Sequence, residues 1–476
     1  MHARLLLLLS TALYAATPIP DAKPIPSTPD SHPFGSAAYA RDPEDLKKIG
    51  YVEEEFLLSG SANVYDWPAG GPAVVRTANA PYTTRVLIRR PLRNFSGRAI
   101  VEMLNPSNLF DLNIGWALSH QEFVRNGDAW VGITAKPIAI AALKTFDPVR
   151  YAALAWKNPV APDDPKNCAT VARDSDRSTE NGLIWDIHSQ VGAWIRSGKS
   201  PLGAVKHVYA WGYSQTGAFL YTYVDAIHPL DVKANGRPIF DAYFIAVASA
   251  PTPINQCAAP IAAGDGRRKI IPPGVPVMRV MSQSDYLRTI AARLPDTDDP
   301  PLRNYEISGS GHATPDELAF AAAPADIVKA GREVPPMDCN EGPRSRFPSR
   351  YAYNAILHNL EEWVEKGIAP PKAEQIQVEN GAAVLDKFGN VTGGVRSPYI
   401  DVPVSTWFGN STGKSFCMIA GHEAAFEKGR LKELYPSHAD YVKRVREDVD
   451  RRVRERFLVR ADGEEIVEEA KRAVIP

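Results

Sequence analysis

Val205-Lys206-His207-Val208-Tyr209-Ala210-Trp211-Gly212-Tyr213-Ser214-Gln215-Thr216-Gly217-Ala218-Phe219 is the stretch that decides the fold of this 476-residue chain. Its first half is a short apolar run rich in β-branched and aromatic residues, which predicts a buried strand. The chain then passes through Gly212-Tyr213-Ser214-Gln215-Thr216-Gly217 and continues as a helical pattern to about Ile227. A serine at a sharp strand-to-helix turn is a nucleophile elbow. The turn strains the serine backbone, so the residues two before and two after it must be small, and Gly212 and Thr216 meet that need. The second glycine, Gly217, comes one residue later than the usual pattern. The following helix turns its positive end toward any anion that forms beside the serine.

Working outward, strands and helices alternate on both sides of this turn. Arg98–Leu104 and Ala129–Ala135 read as buried strands with a helix between them, Ile114–Asn126. Phe240–Ala248, Val275–Met281 and Arg303–Ser308 read as three further strands after the elbow. Alternation of this kind predicts right-handed crossovers and a mostly parallel sheet with helices on both faces, an α/β fold. The short segments Tyr51–Leu58, Ala62–Tyr65, Thr83–Arg89 and Arg98–Leu104 read as the antiparallel opening strands of a mixed sheet. Ile184–Ser197 and Tyr351–Lys366 are amphipathic helices.

Other segments break the rhythm. Residues 17–45 are proline-rich and are expected to be a poorly ordered lead-in. Residues 137–182, rich in proline, aspartate and aromatic residues, read as an insertion placed to act as a lid over an apolar pocket. The core is expected to span 46–369, with 370–476 a C-terminal segment packed on it. Within that segment, Gln375–Asp386 and Tyr399–Trp407 read as strands, and Leu431–Phe457 and Gly463–Val474 as charged helices.

Composition narrows the function classes. Lys and Arg number 54 and Asp and Glu 55, so the net charge of −1 gives no reason to expect nucleic acid or an anionic membrane as partner. No apolar run long enough for an integral membrane span follows the N-terminus. Residues 1–16 combine Arg4, the run Leu5–Leu9 and a small-residue end at Ala15-Ala16, the pattern of a signal peptide. The four cysteines, Cys168, Cys257, Cys339 and Cys417, lie far apart in no metal or redox motif. In an exported chain they allow two disulfides, in any of three pairings. No His-Glu-x-x-His or Gly-x-Gly-x-x-Gly pattern occurs, so the sequence implies neither metal nor cofactor. Gly409–Ser415 resembles a phosphate loop but is one residue short between its glycines and follows no core strand.

A serine hydroxyl needs a base within hydrogen-bond reach, and the base needs a carboxylate to fix its tautomer. On an elbow of this kind the chain order is serine, acid, histidine. Each partner is expected in a loop following a parallel strand, because those strand ends share one rim of the sheet. After Ser214 the histidines are His228, His312, His358, His422 and His438. Only His312 follows a strand and a flexible loop, Ser308-Gly309-Ser310-Gly311. Asp285 follows the strand Val275–Met281 and is the favoured acid, and Glu306 is the alternative acid. The oxyanion is expected to be held by the Gln215 N–H and by a donor from the loop after Leu104. Pro106 has no N–H, which leaves Asn105, Ser107 or Asn108.

Together these blocks resemble the α/β-hydrolase domain family, a large, little-characterised set of proteins. The resemblance rests on Val101-Glu102-Met103-Leu104-Asn105, Gly212–Thr216, Glu306 and Gly311-His312-Ala313. It extends through Trp363, Gly367-Ile368-Ala369-Pro370-Pro371, Gly393-Gly394-Val395-Arg396-Ser397-Pro398 and Leu434-Tyr435. It implies an α/β-hydrolase fold, Ser214 and His312 as catalytic residues, and a C-terminal segment that belongs to the same unit. The expected activity is that of a secreted or periplasmic serine hydrolase cleaving a small-molecule carboxylic ester through an acyl-enzyme. An amidase or peptidase with the same three residues, and a non-catalytic binding protein on this fold, are the alternatives.

Overall fold

The computed structural model describes residues 16–168, 176–270, 273–286 and 293–475. The expected signal peptide therefore lies almost wholly outside the described residues, as does 169–175 within the expected insertion. Ten strands form one sheet: β1 (Asp21–Pro24), β2 (Tyr51–Asp66), β3 (Val74–Pro91), β4 (Arg98–Leu104), β5 (Ala129–Thr134), β6 (Ala155–Trp156), β7 (His207–Tyr213), β8 (Ala242–Ala246), β9 (Val277–Ser282) and β10 (Leu302–Ile307). Their spatial order is β1-β2-β3-β5-β4-β7-β8-β9-β10, with β6 pairing against β3.

The sheet is mixed, as the sequence predicts, but Arg98–Leu104, expected among the antiparallel opening strands, is β4 and pairs parallel with both β5 and β7, because the helix Ile114–Asn126 returns the chain in the same direction. From β5 onward each neighbouring pair is parallel, whereas β1, β2, β3 and β6 pair antiparallel. Strands β5, β8, β9 and β10 are buried at every position, because helices cover both faces. The helices around the elbow are α1 (Ile114–Asn126), α2 (Pro137–Phe146), α3 (Ile184–Arg196), α4 (Gln215–Ala226) and α5 (His228–Asn235). Helix α1 ends where Gly127 takes a left-handed φ of 71°, a conformation that costs glycine nothing.

Several expectations change. The separate opening segments are one long hairpin, β2 running into β3 in near-continuous register from Tyr51↔Pro91 to Asp66↔Val74. Alternation marked the strands, but the bends between Ala62 and Tyr65 are bulges, not breaks. The lead-in is not loose. Residues Asp21–Pro24 add an edge strand to β2, where a proline is tolerated, and Phe34 and Ala37 are buried in the main core. The start of the expected insertion is α2, and Ala155-Trp156 pairs with Tyr82 and Thr83.

The C-terminal segment holds shorter strands than its alternation suggested, with Ser405–Phe408 pairing antiparallel with His422–Ala425 in place of a strand from Tyr399. Only Val378-Glu379 and Ala382-Ala383 pair within 375–386, and Tyr399 lies in a short helix, Pro398–Asp401. Leu431–Phe457 divides into helices Lys428–Leu434 and His438–Arg454, separated at Pro436. With helix Arg460–Arg472 they bury a second apolar cluster, among others Tyr441, Val445, Val449, Ile466 and Val467. The segment also extends the main sheet. Val395 exchanges backbone hydrogen bonds with Glu306 and Ser308 beside β10. Among the described residues no helix is long and apolar enough to cross a membrane.

Candidate active site

The loops after β4, β7, β9 and β10 open at the same edge of the sheet, since these strands run parallel. Ser214 follows β7 and precedes α4, with φ 55° and ψ −113°. That backbone is strained for a residue with a side chain. The turn that imposes it leaves no spare room. A Cβ on Gly212 would lie 2.3 Å from the Thr216 carbonyl oxygen, and one on Gly217 would lie 2.5 Å from the Ala246 oxygen. The displaced second glycine thus serves the close approach of α4 to β8. Thr216 takes over a different task. Its hydroxyl donates to the Tyr213 carbonyl and accepts from the Tyr213 N–H, each at 3.1 Å, and so ties the elbow shut.

His312 and Asp285 come to this serine from other strands. Asp285 sits on the single turn Gln283–Asp285 directly after β9, and His312 on the loop after β10. The His312 Nε2 lies 2.8 Å from the Ser214 Oγ, and its Nδ1 lies 3.0 and 3.1 Å from the two Asp285 carboxylate oxygens. Asp285 is 4 % exposed and accepts a further hydrogen bond from the Ser282 hydroxyl at 2.5 Å. The three side chains therefore form one hydrogen-bonded row, with the imidazole in the tautomer that donates to the carboxylate.

Glu306, the alternative acid, stands elsewhere. Both its oxygens are taken by the Arg293 guanidinium, at 2.6 and 2.8 Å, and the Ile376 N–H also donates to it. It joins β10 to the C-terminal segment and makes no contact with His312 among the described residues. The other histidines lie away from the row: His228 bonds Tyr243, His358 faces Glu122, His422 bonds Ser411, and His438 bonds the Ala470 carbonyl.

The expected oxyanion donors need correction. The Asn105 N–H is spent on the Leu112 carbonyl, and the Ser107 N–H on the Asn105 side chain at 2.8 Å. The short loop folds on itself, so neither amide faces the serine unpaired. The Asn105 side chain instead donates to the Tyr213 carbonyl at 2.6 Å and braces the elbow from β4. Gln215 is the first residue of α4, where an amide has no carbonyl of its own helix to bond. Asn108 is the remaining amide of the four-residue loop.

The sequence reading missed what supports the imidazole. The His312 N–H donates to the Ile419 carbonyl at 2.8 Å and to the Ser284 hydroxyl at 3.1 Å, while the Tyr213 hydroxyl donates to the His312 carbonyl at 2.7 Å. The Ser284 hydroxyl also bonds the Gly409 and Ile419 carbonyls. The stretch that resembled a phosphate loop, Gly409–Ser415, is part of this support. It is pinned by a disulfide between Cys339 and Cys417, and a second disulfide joins Cys168 to Cys257. The sequence left the pairing open, because neither bridge is local.

The cavity at Ser214 holds about 20 Å³ and is lined by Asn108, Ile114, Tyr213, Ala313, Glu317 and Phe416, among others. No described residue of 137–182 lines it, and Phe416 of the C-terminal segment takes the place expected of the insertion. A cavity of about 340 Å³ opens nearer the insertion, between Trp185 on α3, Phe219 on α4 and the loop Thr252–Gln256. Among the described residues no cluster of His, Cys, Asp and Glu could hold a metal ion.

No curated protein matches the sequence. Similar solved structures include a glucuronoyl esterase from Teredinibacter turnerae, at 13% identity over 66% of this chain and 79% of that one, with a TM-score of 0.30. A thermostable esterase from Pseudomonas putida is 12% identical over 60% and 81% of the two chains, with a TM-score of 0.30. A serine hydrolase from Xanthomonas campestris is 12% identical over 58% and 97%, with a TM-score of 0.26. The α/β hydrolase domain family matches residues 21–468, nearly the whole length, and the chain belongs to that family.

Proposed function

We propose that the protein is an exported serine hydrolase that cleaves carboxylic esters of small acids. The observation that carries the reading is the row from the Ser214 Oγ to the His312 Nε2 at 2.8 Å, and from the His312 Nδ1 to Asp285 at 3.0 Å. In this reading the Ser214 Oγ attacks the ester carbonyl carbon and passes its proton to the His312 Nε2. Asp285 stays ionised and stabilises the imidazolium. The tetrahedral oxyanion accepts from the Gln215 N–H and, in place of the two occupied amides, from the Asn108 N–H. The intermediate collapses with loss of the alcohol, which takes the proton from His312. Water, deprotonated by the same imidazole, then attacks the acyl-enzyme and frees the acid and Ser214.

Two further observations bear on substrate and place. A cavity of about 20 Å³ has room for about one water-sized group, which favours a short acyl chain. The two disulfides fit an oxidising compartment and agree with a signal peptide at residues 1–16. The test is labelling by a fluorophosphonate probe together with turnover of acetate, butyrate and octanoate esters. Ser214 should be labelled in the folded protein, acetate should be the preferred acyl group, and Ser214→Ala should abolish labelling and lower kcat by about 10⁴-fold or more. An unlabelled wild-type protein, or an alanine variant that still turns over esters, refutes the reading.

A further inference from the structure

The row of Ser214, His312 and Asp285 leaves one acidic side chain of the same cavity without a task. Glu317 lies on the single turn Asp316–Leu318, just beyond the imidazole. It is 7 % exposed, and it lines the cavity together with Ser214, His312 and Asn108. Among the described residues no hydrogen bond or ion pair reaches its carboxyl, which feels the charges of His312, Arg344 and Asp316. The nearby cation, Arg344, donates instead to the Ala313 carbonyl at 3.3 Å. A carboxyl that lines the cavity with no protein partner is one that a substrate group could satisfy on binding.

The surroundings select the kind of group. Burial pushes the Glu317 carboxyl up to about 8, and the opposing pull of His312 and Arg344 is smaller. At neutral pH it is thus mainly a carboxylic acid, with one O–H donor and one carbonyl acceptor. A cationic substrate group would meet Arg344 on the same ground and gain little from an uncharged acid. A hydroxyl, itself donor and acceptor, matches both atoms at once. An alkyl group of the same size matches neither.

Resting on the ester-hydrolase reading above, we propose that Glu317 is a specificity-determining residue that hydrogen-bonds a hydroxyl on the substrate, so that the site selects hydroxylated esters over plain alkyl esters. The hydroxyl could sit on the alcohol, as in polyol esters, or on the acid, as in hydroxy acid esters. The recognition chemistry is the same in both. A site built to bond a hydroxyl discriminates against the analogue that lacks one, because its polar group is then left unpaired.

Two matched pairs of esters test this. One is 2-hydroxyethyl acetate against propyl acetate, and the other is methyl glycolate against methyl propionate. The quantity read is the ratio of kcat/KM within each pair, for the wild type, Glu317→Leu and Glu317→Gln. The wild type should favour the hydroxylated member of at least one pair by about tenfold or more. Glu317→Leu should bring that ratio to near one, and Glu317→Gln, which keeps a donor and an acceptor, should retain most of it. The responding pair tells which side of the ester carries the hydroxyl. A wild-type ratio near one in both pairs overturns the proposal, as does a ratio that survives the leucine variant. Should that variant not fold, Glu317→Ala is read in its place with the same two outcomes. If the wild type turns over none of the four esters and Ser214 resists the fluorophosphonate, the ester-hydrolase reading has failed. If it turns them over without discrimination, only the assignment of Glu317 has.

Discussion

Ser214 and His312 stand 2.8 Å apart, yet they are held by opposite means. The serine is fixed by its own neighbourhood in the chain: Gly212, the Thr216 hydroxyl clasping Tyr213, and the strain of a φ of 55°. The histidine is fixed from a distance. Its N–H reaches Ile419 and Ser284, and its carbonyl is held by Tyr213, all far away in sequence. The serine is held by a local device and the histidine by a tertiary one, so damage to each should look different.

The largest expected effect tests whether the distant carboxylate belongs to the row. Asp285→Asn should lower kcat by about 10³–10⁴-fold with little loss of stability, because the imidazole would take the wrong tautomer. Glu306→Gln should do the reverse, lowering Tm through the unpaired Arg293 while kcat stays within about tenfold. Steady-state kinetics and thermal melts of both variants check this, and equal losses of kcat would break the distinction between them.

A local device should fail through local sterics. In Gly212→Ala the new methyl group would sit 2.3 Å from the Thr216 oxygen, which forces the elbow open. We expect kcat to fall by about 10²-fold, the cost of roughly a 1 Å misplacement of the nucleophile. Fluorophosphonate labelling should slow in parallel. Normal labelling in a folded Gly212→Ala protein would show that the turn tolerates what its geometry forbids.

A tertiary device should fail when a remote clamp is released. Replacing Cys339 and Cys417 together by serine frees the turn Ser415–Ile419, whose last carbonyl accepts from His312. We expect about a tenfold fall in kcat and a lower Tm, since the bridge closes a loop with a sequence separation of 78 residues. The same change at Cys168 and Cys257, whose bridge does not touch the row, should lower Tm with less effect on kcat. If both double variants lose kcat alike, the C-terminal clamp has no special hold on the base.

The smallest effect concerns stability and pH. Glu317 has its carboxyl raised from 4.5 to about 8 in the folded state, so folding takes up a proton there at intermediate pH. Its contribution to stability is fully present below pH 4.5 and is lost as pH rises through 8. Glu317→Gln should therefore melt about one to three degrees above the wild type at pH 9, and show no such advantage at pH 4. Melts at the two pH values measure the difference. A wild type that gains on the variant as pH rises would contradict the raised value.

The legibility of the site follows the same division. Ser214 could be read because everything that shapes it lies within a few residues: an apolar strand, a glycine, a small residue and a helix. His312 and Asp285 could be proposed from chain order and from their places after strands. The backbone of His312 is held about a hundred residues downstream at Ile419, just past a stretch that looked, out of context, like a faulty phosphate loop. Asn105 and Ser107 were misjudged for the same kind of reason. Sequence marks an amide as present, but whether it is already spent on Leu112 or on a neighbouring side chain depends on how the loop closes.

The amino-acid sequence by itself determined the alternation of strand and helix, the strained turn at Ser214 and the order of its partners. These are encoded in hydrophobic periodicity and in small residues at fixed short spacings, which act through neighbours along the chain. Only the tertiary structure decided the pairing of the cysteines, the choice of Asp285 over Glu306 beside the imidazole, and the residues that wall the cavity. Each of these is a meeting of side chains from separate strands, set by how the sheet and the C-terminal segment pack. Packing depends on shape and burial summed over the whole molecule, and no short window of sequence contains that sum.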